Sequence, residues 1–369
     1  MYSESELQSA VSAGAISAEA ADSLRGHVAG LRSAPMADEE QLRLITGFND
    51  IFVTIACALV IFASAALGGQ FSFAFGALLV AGASWLMAEA FTRKRRMALP
   101  SIVLLLSFAI GLGLCAGATL AEFFPEHSVI KSYNFGGKTE TYPDMVRYPW
   151  QESLIAAAGG LFAALGAGAH WLRFRVSITI AAVLAGVVLV LLATLAAATG
   201  QDLNSNAVIA PAALVCGLAV FVYAMKWDLT DLARKTQNAD IAFWLHLLAA
   251  PLIAHPLFYW MGVTGGEEIG TAQAFGVLAI YLLFGLVALA VDRRALLVSA
   301  LAYVLVALGQ LFRSYGAVEL NVALTALVIG SALLALSAFW TPIRSALVLR
   351  LPRSIQSRLP KGVVATVAA

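Results

Sequence analysis

Charge is scarce in this chain. Aspartate, glutamate, lysine and arginine together make 12% of its 369 residues, whereas hydrophobic residues make 60%. A soluble globular domain carries about a quarter charged residues, so this balance excludes one and points to a polytopic membrane protein. With a formal net charge of +1 there is no basic surplus to hold a phosphate backbone, which excludes nucleic acid as a partner. The three cysteines, Cys57, Cys115 and Cys216, all sit inside apolar stretches. They read as small hydrophobes and not as a disulfide framework.

Signatures of chemistry are missing too. The chain has no GxSxG, no Walker motif, no GxGxxG after a strand and no pair of carboxylates within one apolar segment. Without HExxH, CxxC or a Cys/His cluster, no metal site and no cofactor are expected. The opening residues lack the basic-then-apolar order of a cleaved signal peptide, so the first spanning helix is expected to do the targeting.

What is present is apolar length. Ten segments approach the ~20 residues that cross a bilayer core: 49–68, 71–91, 99–123, 152–171, 176–199, 207–225, 241–262, 272–291, 295–312 and 320–340. With the N-terminus inside, 19 of the 23 lysines and arginines fall on cytoplasmic segments; Lys131, Lys138, Arg147 and Arg313 fall outside. The positive-inside rule therefore favours both termini in the cytoplasm. The expected fold is an all-α transmembrane bundle of about ten spans, residues 47–340, between a cytoplasmic leader, 1–46, and a cytoplasmic tail, 341–369. Gly113 and Gly117 make a GxxxG spacing, and glycines line the fourth span, which predicts close helix packing.

The segments outside the membrane carry few clues. The leader reads as a short helix stopped at Gly14, then a second helix capped by Ser17, with a thin apolar stripe. Either it lies on the membrane surface or residues 1–40 dock a protein partner. The outer loop 124–151 alternates on either side of Gly136-Gly137, a hairpin signal. Its Tyr133, Tyr142, Tyr148 and Trp150 are either a lid over a vestibule or an aromatic belt at headgroup depth. The inner loop 226–238, KWDLTDLARKTQN, reads as a short surface helix, with Asp240 capping the next span. The tail from Arg344 to Lys361 has five basic residues and no acidic one, which predicts attraction to anionic lipid headgroups.

Few polar groups lie at membrane depth. Glu89 precedes Arg93 by four residues and reads as a helical ion pair. His170 reads as an anchor at the inner boundary, Asp50 and Glu122 lie near span ends, and Gln310 lies within a span. The seventh span holds His246, Pro251, His255 and Pro256 together. Nine residues apart on a helix, the histidines face opposite sides, separated by about 13 Å. Each reads either as a neutral side chain hydrogen-bonded to a neighbouring helix or as a proton-handling group. The prolines shape the helix between them.

The run LQSAVSAGAISAEAADSL, through Leu7, Gly14, Ile16, Ser17, Ala21 and Leu24, resembles the leader of an uncharacterised bacterial family of multi-pass inner-membrane proteins. In that family a Gly-x-Ile-Ser element precedes a polytopic helical body. The resemblance covers about the first thirty residues and the hydropathy profile. It implies a bacterial inner-membrane location and no assigned activity. Two functions are expected to compete: a secondary-transporter-like permease for a small molecule or ion, and a non-catalytic scaffold or sensor acting through the leader.

Overall fold

A computed structural model describes residues 4–24, 48–135, 138–201, 203, 206–232, 234, 236–263, 270–314, 321–356 and 359. The chain divides into two compact units, Met1–Leu42 with Val367–Ala369, and Arg43–Thr366. In the first, α1 spans Glu4–Ser12, and Gly14 follows at φ +72°, a left-handed turn that suits glycine. A second helix, α2, occupies 18–24, with the Ser17 hydroxyl accepting from the Ala20 amide at 3.1 Å. The rest of the expected second leader helix lies outside the described residues.

The second unit is an all-α polytopic bundle. Its helices are α3 (Phe48–Gly69), α4 (Phe73–Ala88, continued by a π-helical turn Glu89–Lys94), α5 (Ala98–Ala121), α6 (Pro149–Phe174) and α7 (Ile178–Thr199). They continue with α8 (Asn206–Thr230), α9 (Gln237–Trp260), α10 (Thr271–Val291), α11 (Ala295–Ser314), α12 (Asn321–Ala338), α13 (Trp340–Leu349) and α14 (Arg353–Gln356). Each of the ten expected apolar segments coincides with one of α3–α12. Among the described residues, eight helices, α3 to α10, are long and apolar enough to cross a membrane. A ninth results if α12 and α13, bent by 70°, count as one span. The apolar part of α11, Leu296–Gly309, is shorter.

Two expectations at helix ends are corrected. The inner loop is not a separate surface helix, because α8 runs on through Trp227 and Asp228 to Thr230. Thr236, not Asp240, caps α9, its side chain accepting from the Asn238 amide. The tail opens with α13, whose Trp340 is buried against the core of α9–α11.

Small residues set the packing of the first five spans. A β-carbon added at Gly113 would stand 2.8 Å from the Gly159 carbonyl, and one at Gly186 would stand 2.7 Å from the Gly160 carbonyl. These separations bring α5, α6 and α7 into backbone contact, as small-residue interfaces do in membranes.

The outer loop is a two-stranded antiparallel hairpin, β1 (His127–Phe135) and β2 (Lys138–Val146), paired from His127↔Val146 to Phe135↔Lys138. Residues 136–137, between the strands, lie outside the described residues. Lys131 and Asp144 form an ion pair across the hairpin at 2.6 Å. The pairing holds the Asp144 carboxyl below its ordinary range and lifts the Lys131 ammonium above its own.

Candidate functional site

The polar centre of the molecule lies where α8 ends, α9 begins and α10 turns into α11. The last turn of α8 carries Asp228, which is 1% exposed. One carboxylate oxygen, Oδ2, lies 2.8 Å from Nε2 of His246 on α9. The other, Oδ1, accepts from Nη2 of Arg293 at 2.5 Å. The same Nη2 donates to the Ala239 carbonyl at 3.0 Å. His246 is 0% exposed and Arg293 is 2% exposed. The imidazole edge meets the Phe221 ring at 5.1 Å, and its Nδ1 has no hydrogen-bond partner among the described residues.

The charge arithmetic is tight. Asp228 and Arg293 cancel and a neutral imidazole donates through Nε2, so the three contacting groups sum to zero, with the Asp240 carboxylate within electrostatic reach of Arg293. A proton arriving on Nδ1 would make that sum +1 in a sealed, low-dielectric place. The imidazolium would compete with Arg293 for the Asp228 carboxylate and so weaken that bond.

Asp292, the residue before Arg293, reaches the other way. It ends α10 at φ +61°, a left-handed position that aspartate and asparagine adopt more readily than most residues with a side chain. Its Oδ2 accepts from Arg234 Nη1 at 2.8 Å, and its Oδ1 accepts from the Trp340 indole at 2.7 Å. Arg344 approaches Oδ1 at 3.5 Å. Arg234 Nη2 also donates to the carbonyls of Val291 and Asp292, at 3.2 and 2.9 Å, so it caps the C-terminus of α10. Arg294 stacks over the Trp340 ring at 4.9 Å. In the α8–α9 link Asp231 accepts from both the amide and the hydroxyl of Thr236 at 2.7 Å. Three successive residues, Asp292 to Arg294, thus tie α8 and α9 on one side to α13 on the other.

The structure separates the two expected histidines. His246 belongs to this cluster; His255 stands on an exposed face of α9, its Nδ1 2.9 Å from the Tyr303 hydroxyl of α11. Pro251 is exposed and Pro256 buried, and α9 continues as one helix through both. In the outer loop Tyr148 stacks on His127 at 4.2 Å, Trp150 meets Phe124 edge-on at 5.7 Å, and Tyr142 is exposed. The side chains of Tyr133 and Gln310 lie outside the described residues.

Elsewhere, Glu89 takes its expected bond from Arg93 at 3.2 Å and a second ion pair from Arg173 on α6 at 2.8 Å. His170 is not a boundary anchor. It is fully buried among Trp85, Phe108 and Phe174, with no partner on either ring nitrogen among the described residues.

Reading the sequence missed Asp228, Asp292, Arg293, Arg234, Trp340 and Arg344. A signal was available. The α10–α11 link is only three residues long, too short to carry Asp-Arg-Arg fully into water, and Trp227 stands between Lys226 and Asp228. Comparison with family models, curated proteins and solved structures finds no match to this chain.

Proposed function

We propose that this chain is a proton-coupled, secondary-transporter-like permease of a bacterial inner membrane, both termini cytoplasmic, with Asp228, His246 and Arg293 as its proton-handling group. The observation that carries the reading is a histidine sealed from solvent on a carboxylate that an arginine also holds. Buried ionisable groups in membrane proteins are costly and mark function by default. Protonation of His246 is the event that unlatches Arg293. Because Arg293 adjoins Asp292, release on one side loosens the tie between α8–α9 and α13. Pro251 and Pro256 lie between that cluster and the far end of α9, where a helix missing two backbone donors bends most readily. Arg344 is buried against Asp292, so it is the exposed Arg350 and Arg353 beyond it that hold the inner face to anionic headgroups. The leader's resemblance to uncharacterised inner-membrane proteins agrees with this location.

Reconstituted vesicles test the proposal. An imposed pH gradient should drive proton or solute flux through the native chain, and His246→Gln should abolish it in folded protein. Tight vesicles that pass nothing across a broad solute panel would overturn it. A scaffold or sensor role is the competing reading, favoured by the separation of Met1–Leu42 as its own compact unit. Deleting residues 1–40 should then remove a protein partner while the bundle stays folded, and an unchanged partner set would dismiss that role.

A further inference from the structure

Two apolar grooves lie side by side on the surface of the first helices. The larger, of about 610 Å³, runs between α5 and α6. The smaller, of about 290 Å³, runs where α3 and α4 meet α5. Both are lined by Phe73, Ile110 and Leu114, all exposed, so α5 forms a ridge with a furrow on each flank. Both occupy the half of the bundle nearest the hairpin, since α3 ends there, α4 begins there and α5 runs up to it.

The larger furrow ends in charge. Glu122 and Arg147 both line it. Arg147 is fixed there by Glu126 at 2.9 Å and by the Phe124 carbonyl at 3.0 Å. A guanidinium has five donors, so two contacts do not exhaust it. Glu122 is exposed.

We propose that these twin grooves bind one diacyl phospholipid with a zwitterionic phosphoethanolamine headgroup. One tail lies in each furrow, astride the Ile110–Leu114 ridge. The phosphate meets Arg147 and the ammonium meets Glu122. Paired furrows with a common ridge match the two tails of one molecule, and their apolar walls at membrane depth favour hydrocarbon over water. The charge pair selects the head. With Glu126 already on Arg147, the site holds two carboxylates and one guanidinium, so a purely anionic headgroup meets surplus negative charge, whereas an amine neutralises the Glu122 carboxylate. This assignment rests on the chain being a membrane protein and is independent of transport.

The test uses the full chain, equilibrated in vesicles of phosphatidylethanolamine and phosphatidylglycerol, extracted in mild detergent and weighed by native mass spectrometry. One phosphatidylethanolamine per chain should be retained in preference to phosphatidylglycerol. Glu122→Gln, at an exposed site that should not disturb folding, is expected to cut that preference by about tenfold, the weight of one charge-assisted contact. Ala118→Trp, which fills the larger furrow, should abolish retention; if that protein does not fold, Glu122→Gln alone decides. Native protein that carries both lipids equally or neither, or a Glu122→Gln protein with unchanged preference, would overturn the proposal.

Discussion

Removing Asp228 should be among the most damaging single changes in the second unit. Its carboxylate receives Arg293 Nη2 at 2.5 Å and His246 Nε2 at 2.8 Å, and all three side chains are shut off from solvent. In Asp228→Ala, Arg293 keeps the Ala239 carbonyl at 3.0 Å and the Asp240 charge within electrostatic reach, but loses the carboxylate it bonds directly. Breaking one side of a buried pair costs about 3–5 kcal/mol, because the surviving charge stays desolvated. His246 loses its acceptor as well, adding about 1–3 kcal/mol if no water replaces it. The folded population measured by thermal unfolding in mild detergent should fall accordingly. The double variant Asp228→Leu with Arg293→Leu removes both charges and should recover much of that loss, since an apolar pair of similar volume is often neutral or better. Two results would refute the reasoning. Asp228→Ala could unfold within 1 kcal/mol of the native protein, placing water around the cluster. Alternatively, the double variant could lose the full sum of both single changes, meaning the two residues do not act on each other.

Other consequences follow from local geometry. Gly186→Ala puts a β-carbon 2.7 Å from the Gly160 carbonyl and should cost about 1–3 kcal/mol, whereas Gly82→Ala meets nothing within 4 Å and should be neutral or slightly stabilising in the same unfolding assay. The Lys131–Asp144 pair should fasten the hairpin across neutral pH. Asp144 has a depressed pKa, so its share is lost only as pH falls through a value below its ordinary 3.8; Lys131 has a raised one, so its share is lost only as pH rises through a value above its ordinary 10.5. Proteolysis of the loop should therefore be flat with pH between those limits, and an inflection near neutrality would refute this. At Asp292, asparagine tolerates the left-handed backbone and can still accept from Trp340, while leucine can do neither. Asp292→Asn should thus hold α13 against the bundle better than Asp292→Leu, read as protection of Trp340 fluorescence from an aqueous quencher.

The bundle was legible because hydropathy over about twenty residues is a strong local signal, and each apolar segment coincides with a helix. The hairpin was legible for a similar reason: alternation on both sides of Gly136-Gly137 is encoded within a few residues. The ion pair of Glu89 with Arg93 is local too, four positions along one helix. Its second partner, Arg173, is 84 positions away and was invisible. The polar cluster failed on the same ground. Asp228 and Arg293 are 65 positions apart, and Asp292 and Trp340 are 48 apart. Each charge taken alone sits beside the end of an apolar run, where a solvated charge is the default. Only tertiary packing decides that these particular ones face inward.

The two halves of the second unit solve the membrane packing problem differently. Lipid tails are as apolar as leucine, so helices gain little by burying hydrocarbon against one another. From α3 to α7 the answer is proximity: glycines at 68, 76, 113, 159, 160 and 186 let backbones touch, and the polar contacts sit at the rims. Such interfaces are held by many small dispersion contacts and have no single point of release. From α8 to α13 the answer is directional. Asp228, Asp292 and four arginines fix helix ends by bonds that are strong while sealed and weak once wet. One proton on His246 alters the balance of that group, whereas His170, the buried histidine of the first half, is packed among aromatic rings with no hydrogen bond to release among the described residues. If any part of the bundle moves as a body, the mobile part is therefore the one latched by charge, α8 to α13, working against the close-packed α3 to α7.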